Sequence, residues 1–320
     1  MGQPLRIAVL DDYQNVAAGL ADWASLRDAE VTFFHDHTDA AALIARLQPF
    51  DAVMLMRERT RFDAGVIAAL PNLKLILSVG MWNAAIDLPA AQARGIVVSG
   101  TKGSGPQPTA VLTWGLVLSL VRNIHAEAAS VRAGGWQLGL GADLTGKTLG
   151  LLGLGQIGQV VAGYGRAFGM EVIAWSQNLT AEKAAESGVT RVEKRALFAR
   201  SDFLSIHLKL SERTAGLVGA GELDGMKPTA FLVNTSRGSI VSEPALIDAL
   251  THRRIAGAAL DVFETEPLPA AHPFRYLPNL LATPHIGYVS ESLYKTAFPQ
   301  TVENIKAWQA GMPVRVLLPA

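Results

Sequence analysis

The 320-residue sequence contains no cysteine, and this absence narrows the possible chemistry. A chain without cysteine has no disulfide framework, no thiolate nucleophile and no cysteine-ligated metal site. The same absence is typical of proteins from a reducing compartment, so we expect a cytoplasmic location.

Charge of one sign and long apolar runs are also lacking. Lysine plus arginine and aspartate plus glutamate number 28 each, so the chain has no strong field to attract nucleic acid or an anionic membrane. The longest apolar-rich run, residues 110–121, is shorter than the roughly 20 residues of a membrane span. We therefore expect no nucleic-acid and no membrane partner. A protein that binds or converts a small molecule is the favoured interpretation.

Short apolar runs are abundant and alternate with helical patterns. In the first hundred residues they read "RIAVLD", "EVTFFH", "DAVMLM", "LKLILSVG" and "IVVSG", and a second series runs from "TLGLLG" to "NLLATP". Near-continuous apolar strands alternating with helices indicate parallel sheets covered on both faces. The sequence predicts an α/β protein with two doubly wound parallel-sheet domains, one flavodoxin-like and one Rossmann-like.

The domain boundaries follow from the helical patterns that link the two series. One long helix is predicted over residues 109–132, followed by a glycine-rich loop, and another over residues 291–311. We expect the second helix to return the chain to the first domain. Residues 1–100 and 290–320 are predicted to form a discontinuous domain that binds the substrate. Residues 101–289 are predicted to form a domain that binds a dinucleotide.

A glycine-rich turn, "GLGQIG", follows the strand pattern 148–152 and precedes a helical pattern. In that context Gly153, Gly155 and Gly158 permit a tight turn, close approach to a pyrophosphate and close packing of helix on strand. The N–H groups at the helix start, including Gln156 and Ile157, would face the phosphates. The motif alone is weak, and its strand and helix neighbours favour dinucleotide binding over a structural turn.

Three ionisable residues follow three successive strands of the second series. Arg237 comes after "AFLVNTS", Glu266 after "AALDVFET" and His285 after "LLATP". Because ligands lie beyond the carboxyl ends of parallel strands, these side chains should share one crevice. A histidine oriented by a carboxylate can exchange a proton, and an arginine can clamp a carboxylate. Each of these residues alone is more typical of a surface loop. The three together, beside a nicotinamide, indicate hydride transfer at C2 of a 2-hydroxy or 2-oxo acid.

The sequence resembles the D-isomer-specific 2-hydroxyacid dehydrogenase family over nearly its whole length. The resemblance rests on "LGLLGLGQIG", "MKPTAFLVNTSRGSIVSEPAL", "AGAALDVFETEP" and "TPHIG". It implies that Arg237 orients the substrate, Glu266 is the partner of the histidine and His285 is the acid/base. It also implies cofactor contacts for Thr235, Asp261, His207 and Gly287, with Asp261 holding the nicotinamide carboxamide.

The resemblance extends to the first series with some departures. "LSVGMWNAAID" resembles a loop whose N–H groups at Val79 and Gly80 grip the substrate carboxylate, and Arg57 matches a substrate-side arginine. Trp82 and Asn83 replace commoner small residues. Lys209 stands where the family usually has proline, which places a cation near the adenosine ribose.

The identity of the dinucleotide depends on the corner after the strand "EVIAW". A carboxylate about 20 residues beyond the glycine turn usually holds a ribose hydroxyl, but this corner reads Ser176, Gln177, Asn178. The acid at a similar spacing, Glu171, stands at the wrong end of that strand, far from the ribose. This corner contains no carboxylate that could repel a 2′-phosphate. We therefore expect a modest preference for NADP(H), with NAD(H) possible.

These observations predict an NAD(P)-dependent oxidoreductase that acts on a small D-2-hydroxy or 2-oxo acid. Glyoxylate and hydroxypyruvate are the substrates to be tested first. The family resemblance also implies a homodimer. A resident metal is not expected, because "HDH" at residues 35–37 lacks a third ligand cluster and the chemistry needs none. The alternative is a nucleotide-sensing binding protein of the corepressor type on the same fold. A formate-dehydrogenase-like enzyme is disfavoured, because those relatives carry glutamine in place of Glu266.

Overall fold

The computed structural model describes residues 3–103 and 105–319, and two parallel sheets dominate this part of the chain. The strands are β1 (Leu5–Val9), β2 (Ala29–Phe33), β3 (Ala52–Leu55), β4 (Leu75–Ser78), β5 (Val97–Gly100), β6 (Thr148–Leu152), β7 (Glu171–Trp175), β8 (Thr190–Arg191), β9 (Phe203–Ile206), β10 (Phe231–Asn234), β11 (Gly257–Leu260) and β12 (Leu280–Ala282).

The helices lie between most of these strands and at the end of the chain. They are α1 (Ala40–Leu47), α2 (Ala64–Ala68), α3 (Leu88–Ala93), α4 (Gln107–Val121), α5 (Ile124–Arg132), α6 (Gln156–Ala167), α7 (Ala181–Ala185), α8 (Lys194–Arg200), α9 (Ala220–Asp224), α10 (Glu243–Thr251) and α11 (Glu291–Gln309). Within the two described ranges, no helix combines the length and apolar character needed to cross a bilayer.

The strand orders are those of two doubly wound folds. The first sheet runs β2-β1-β3-β4-β5, the flavodoxin order, and the second runs β12-β11-β10-β9-β6-β7-β8, an extended Rossmann order. All strand pairs within both sheets are parallel. The predicted α/β class with two parallel-sheet domains is confirmed.

Both faces of each sheet are covered by apolar side chains. Along β6, Leu149 and Leu151 join one buried cluster, whereas Leu152 joins another. In the first sheet, Ala8 and Val53 belong to a third cluster, and their neighbours on the opposite face are buried as well. Because successive side chains of a strand point to opposite faces, this pattern explains the near-continuous apolar runs in the sequence.

One predicted helix is divided in two. Residues 109–132 were expected to form a single helix, but α4 ends at Val121 and α5 begins at Ile124. Asn123 lies between them with φ +50°, in the left-handed region. Asparagine tolerates this conformation better than most residues, and a left-handed residue ends the helical hydrogen-bond ladder. The prediction of a continuous helix was therefore wrong at Asn123.

The contacts divide the chain into two units. The chain passes from the first unit to the second after residue 104 and returns to the first after residue 288. The first unit combines the amino-terminal sheet with α11 and the carboxyl-terminal segment. Leu317 N–H donates to Val98 O, and Gly100 N–H donates to Arg315 O, both at 2.8 Å. Ser99 and Val316 form an antiparallel bridge. The last residues thus extend the exposed edge of β5.

Candidate active site

The glycine turn lies at the carboxyl end of β6, in the second unit, where the strand order reverses between β6 and β9. Gly153 has φ +105°, and a Cβ there would lie 2.7 Å from His207 O. A Cβ at Gly158 would lie 2.4 Å from Gly153 O, so both positions require glycine for packing. A Cβ at Gly155 would meet nothing within 4 Å, which leaves space beside the start of α6.

The start of α6 has the properties of an anion-binding helix terminus. The helix has 12 residues, and no side chain caps its first N–H groups. Gln156 and Ile157 are therefore at the position where helix N–H groups and the helix dipole favour a phosphate. The open space at Gly155 fits the close approach of a pyrophosphate, so these residues suit a dinucleotide.

The corner after β7 lies beside this turn, because Gly153 N–H donates to Trp175 O at 2.9 Å. Ser176 begins a turn closed by Leu179 N–H, and Gln177 and Asn178 are exposed. Glu171 lies at the opposite end of β7, where its carboxylate pairs with Arg200. The corner that would face a ribose therefore presents a hydroxyl and two amides.

The loop after β9 carries His207 and Lys209. His207 Nε2 lies 2.9 Å from Ser205 Oγ, and burial lowers the pKa of this histidine to about 4. The ring is therefore neutral at physiological pH. The side chain of Lys209 is exposed, and its carbonyl accepts a hydrogen bond from Thr214 Oγ1 at 2.7 Å.

The predicted histidine and its carboxylate partner are in contact. His285 Nδ1 lies 2.6 Å from Glu266 Oε2, and Glu266 Oε1 accepts the Phe263 N–H at 2.8 Å. Because the carboxylate accepts the Nδ1 proton, Nε2 is the ring nitrogen left for a substrate. Nε2 makes no hydrogen bond to any residue that the structure describes. Tyr288 packs edge-to-face against His285, with 5.4 Å between the ring centres and 76° between the ring planes.

Asp261 holds the turn that carries this histidine. Its Oδ1 accepts hydrogen bonds from Thr283 Oγ1 at 2.6 Å and Ile286 N–H at 2.8 Å, and its Oδ2 accepts one from Gly287 N–H at 2.8 Å. His285 itself has φ +52°, which costs energy for a non-glycine residue. The flanking bonds to Asp261 fix that conformation. Burial raises the pKa of Asp261.

Arg237 occupies the turn after β10, and a buried asparagine shapes this turn. Asn234 Nδ2 donates to Arg237 O at 2.9 Å, and Asn234 Oδ1 accepts the Ser236 N–H at 3.0 Å. The guanidinium donates from Nη1 to Ser236 O. Thr235 is buried and its hydroxyl lies 2.9 Å from that of Thr113. Asn234 was not among the predicted site residues, because nothing in "FLVNTS" distinguishes it from its neighbours.

The first unit contains the substrate-side residues predicted by resemblance. Arg57, with φ +54°, lies against Gly80, since a Cβ on that glycine would be 2.7 Å from Nη1. Asn83 is buried and donates to Arg57 O at 2.7 Å and Ser78 Oγ at 3.0 Å. The departure at Asn83 thus braces the loop, whereas Trp82 is exposed.

The expectation that the Val79 and Gly80 N–H groups are available for a carboxylate requires correction. Val79 N–H donates to Leu55 O in continuation of the β3–β4 ladder, and Gly80 N–H donates to Thr101 Oγ1, both at 3.1 Å. In the described parts of the chain, the N–H groups of Met81 and Trp82 have no hydrogen-bond partner. The free donors of this loop therefore lie one or two residues further on.

The histidines of "HDH" each face a buried aspartate beyond β1. His35 Nδ1 lies 3.0 Å from Asp12 O, and His37 Nδ1 lies 3.6 Å from Asp11 Oδ1. The neighbouring Asp11 carboxylate raises the pKa of His37. Among the described residues, no group of three histidine, aspartate or glutamate side chains is close enough together to hold a metal ion.

The NAD binding domain of D-isomer specific 2-hydroxyacid dehydrogenases matches residues 114–287 of this chain. The chain belongs to the D-isomer specific 2-hydroxyacid dehydrogenase family. A glyoxylate reductase of Aeropyrum pernix is 36% identical over 293 residues, which are 89% of this chain and 87% of the relative. The match implies a nicotinamide cofactor and an oxidoreductase acting on 2-hydroxy or 2-oxo acids.

Relatives with other substrates are equally similar. A D-3-phosphoglycerate dehydrogenase of Synechocystis sp. is 36% identical over 277 residues, which are 86% of this chain but only 50% of the relative. The crystal structure of a phosphoglycerate oxidoreductase from Vibrio cholerae has a TM-score of 0.91 and 40% identity, covering 96% of this chain and 99% of that one. The dehydrogenase family is therefore shown, and similarity does not select one substrate.

Proposed function

We propose that this dehydrogenase reduces glyoxylate or hydroxypyruvate, or oxidises the corresponding 2-hydroxy acid. The proposal rests chiefly on the contact between His285 and Glu266, which leaves Nε2 available at the carboxyl edge of the second sheet. We assign the substrate to the unit containing residues 1–100 and 290–320, and the dinucleotide to residues 101–289.

Each residue of the catalytic set has a distinct task in this proposal. His285 Nε2 gives a proton to the oxygen on C2 during reduction and takes it back during oxidation. Glu266 keeps Nδ1 protonated and stabilises the imidazolium. Arg237 holds the carboxylate of the substrate and polarises its carbonyl, with Arg57 and the loop after Val79 and Gly80 as further contacts. A bound reduced nicotinamide supplies the hydride.

The substrate test is a panel of 2-oxo acids with purified protein. NADPH and NADH oxidation would be followed with glyoxylate, hydroxypyruvate, pyruvate and 3-phosphohydroxypyruvate, beside His285→Ala as the matched control. We expect the highest kcat/KM with one of the first two acids. A higher value for 3-phosphohydroxypyruvate would contradict the substrate assignment, and no turnover with any acid would favour the corepressor-type binding function.

We also propose a modest preference for NADP(H), with NAD(H) tolerated. Ser176, Gln177 and Asn178 carry no negative charge to repel a 2′-phosphate, and Lys209 adds an exposed cation. Ser176→Asp should shift the ratio of kcat/KM for NADPH and NADH towards NADH by about tenfold, whereas Ser176→Ala should shift it little. A wild-type preference for NADH above about tenfold would contradict this proposal.

We infer a homodimer from the family, and an exposed apolar stretch in the second unit supports it. Five exposed large apolar side chains lie together on α5 and the loop that follows it, namely Ile124, Val131, Trp136, Leu138 and Leu140. Glu127 accepts the N–H groups of Leu138 and Gly139 and so ties this loop to α5. Leu140→Asp should lower the molar mass measured by sedimentation from that of a dimer to that of a monomer. A monomeric wild-type protein would contradict the inference.

A further inference from the structure

A second glutamate–histidine pair lies in the same unit as the first. Glu243 is the first residue of α10, and its Oε2 lies 3.2 Å from His272 Nε2. Both side chains are largely buried, with 14% and 17% of their surface exposed. The proposed reaction assigns no role to either residue.

The ring of His272 has both nitrogens engaged. Nδ1 lies 3.3 Å from the N–H of Phe274, which can only donate, so Nδ1 is the acceptor. The proton of the neutral ring is therefore on Nε2, where it is donated to Glu243. The ring also packs against Phe274, with 4.8 Å between the ring centres. This histidine is thereby fixed in one tautomer and one orientation.

The remaining oxygen of Glu243 reaches the loop that carries the catalytic carboxylate. Glu243 Oε1 accepts the Glu264 N–H at 2.8 Å. The preceding N–H, that of Phe263, donates to Glu266 Oε1 at 2.8 Å. Two successive N–H groups are therefore divided between Glu243 and Glu266, and the position of one bond constrains the other.

The same peptide is also held from the side of Arg237. A Cβ on Gly238 would lie 2.1 Å from Phe263 C and 2.5 Å from Glu264 N, so this glycine is packed directly against the peptide. Gly238 immediately follows Arg237. The peptide between Phe263 and Glu264 is thus fixed by the hydrogen bond that its N–H donates to Glu243 and by contact with the turn of Arg237.

We propose that Glu243 and His272 are positioning residues for Glu266, acting through the Glu264 N–H. The proposal rests on the proposed roles of Glu266 and His285. Proton transfer requires a carboxylate and a histidine held within a fraction of an ångström, and a misplacement of about 1 Å can cost 10²-fold in rate. His272 orients Glu243, Glu243 orients the loop, and the loop presents Glu266 to His285.

The decisive experiment is a double-mutant cycle with glyoxylate and the preferred reduced cofactor. Glu243→Gln retains the size of the side chain, but its single amide oxygen cannot accept from both the His272 Nε2–H and the Glu264 N–H, so the bridge between the two is broken. We expect kcat to fall roughly tenfold, with little change in cofactor Kd, and the alkaline limb of the kcat/KM profile to move to lower pH. In a Glu266→Gln background, Glu243→Gln should cause no further loss, because it acts through Glu266.

Variants of the histidine and a helix control complete the test. His272→Gln can still donate to Glu243 and should retain most of the activity that His272→Ala loses. Asp248→Asn, on the exposed side of α10, should leave kcat unchanged. Equal losses from Glu243→Gln in both backgrounds, or no loss in the wild-type background, would overturn the proposal. Retained turnover in His285→Ala would instead overturn the proposed function.

Discussion

The two glutamate–histidine pairs of the second unit have the same chemistry and different surroundings. His285 gives Nδ1 to Glu266 and keeps Nε2 available, whereas His272 gives Nε2 to Glu243 and uses Nδ1 to accept a backbone N–H. A histidine needs a nitrogen without a protein partner to exchange a proton with a substrate. The pair with a spare nitrogen is suited to catalysis, and the pair without one is suited to holding structure.

A third histidine, His207, extends the comparison. It has a serine hydroxyl as its neighbour and no carboxylate, and burial lowers its pKa to about 4. Burial disfavours the charged ring, whereas a carboxylate partner favours it. The three rings therefore differ in their partners: His285 and His272 each contact a carboxylate, and His207 contacts a hydroxyl.

The largest expected effect separates the first two histidines. His285→Ala should lower kcat by about 10²- to 10⁴-fold, the usual contribution of general acid/base catalysis, while cofactor still binds. His272→Ala should lose roughly tenfold, because it acts only on geometry. Steady-state kinetics and fluorescence titration with NADPH would measure both. Similar losses in the two variants would break the distinction drawn between the pairs.

A smaller effect is expected when the catalytic pair loses its negative charge. Glu266→Gln removes a carboxylate oxygen 2.6 Å from Nδ1, and the imidazolium is then less favoured. Reduction requires a proton on the ring, so the alkaline limb of the kcat/KM profile should lie at lower pH than in the wild type. Glu264→Gln, an exposed carboxylate nearby, is the matched control and should leave the kcat/KM profile in place. An unmoved alkaline limb in Glu266→Gln would contradict the assigned partnership.

The peptide shared by the two pairs offers a test of stability. Gly238→Ala would place a methyl group against backbone atoms, and overpacking of this kind typically costs about 1–3 kcal/mol. We expect a lower Tm together with a lower kcat. Gly221→Ala in α9 meets nothing within 4 Å and should leave Tm unchanged or slightly higher. Equal Tm values for Gly238→Ala and the wild type would show that the peptide is not held as described.

The smallest effect concerns His207. Its pKa is lower in the folded chain than the ordinary 6.5, so the unfolded chain binds more protons between pH 4 and 6.5, and stability falls as pH is lowered through this range. Between pH 7.5 and pH 5.5 the loss should be about 1 kcal/mol. Urea unfolding of His207→Gln should show a weaker dependence on pH than the wild type. Parallel pH dependences would contradict the burial of this ring.

Much of the fold could be predicted because it depends on local patterns. Alternating apolar strands and helices indicated two parallel sheets, and the glycine turn marked the switch between β6 and β9. The break at Asn123 was missed, since residues that favour helices continue on both sides of it. A single left-handed residue changes the direction of a helix without changing its hydrophobic period.

Local amino-acid patterns were enough to predict the two parallel sheets, the position of the glycine turn and the candidate catalytic residues at the carboxyl ends of strands. These features follow from periodicity and from the geometry of parallel strands. Tertiary contacts alone place Glu243 against His272, brace the turn of His285 with Asp261 and give partners to the Val79 and Gly80 N–H groups. Hydrogen bonds depend on distances of a few tenths of an ångström between segments remote in sequence, and no local pattern encodes those distances.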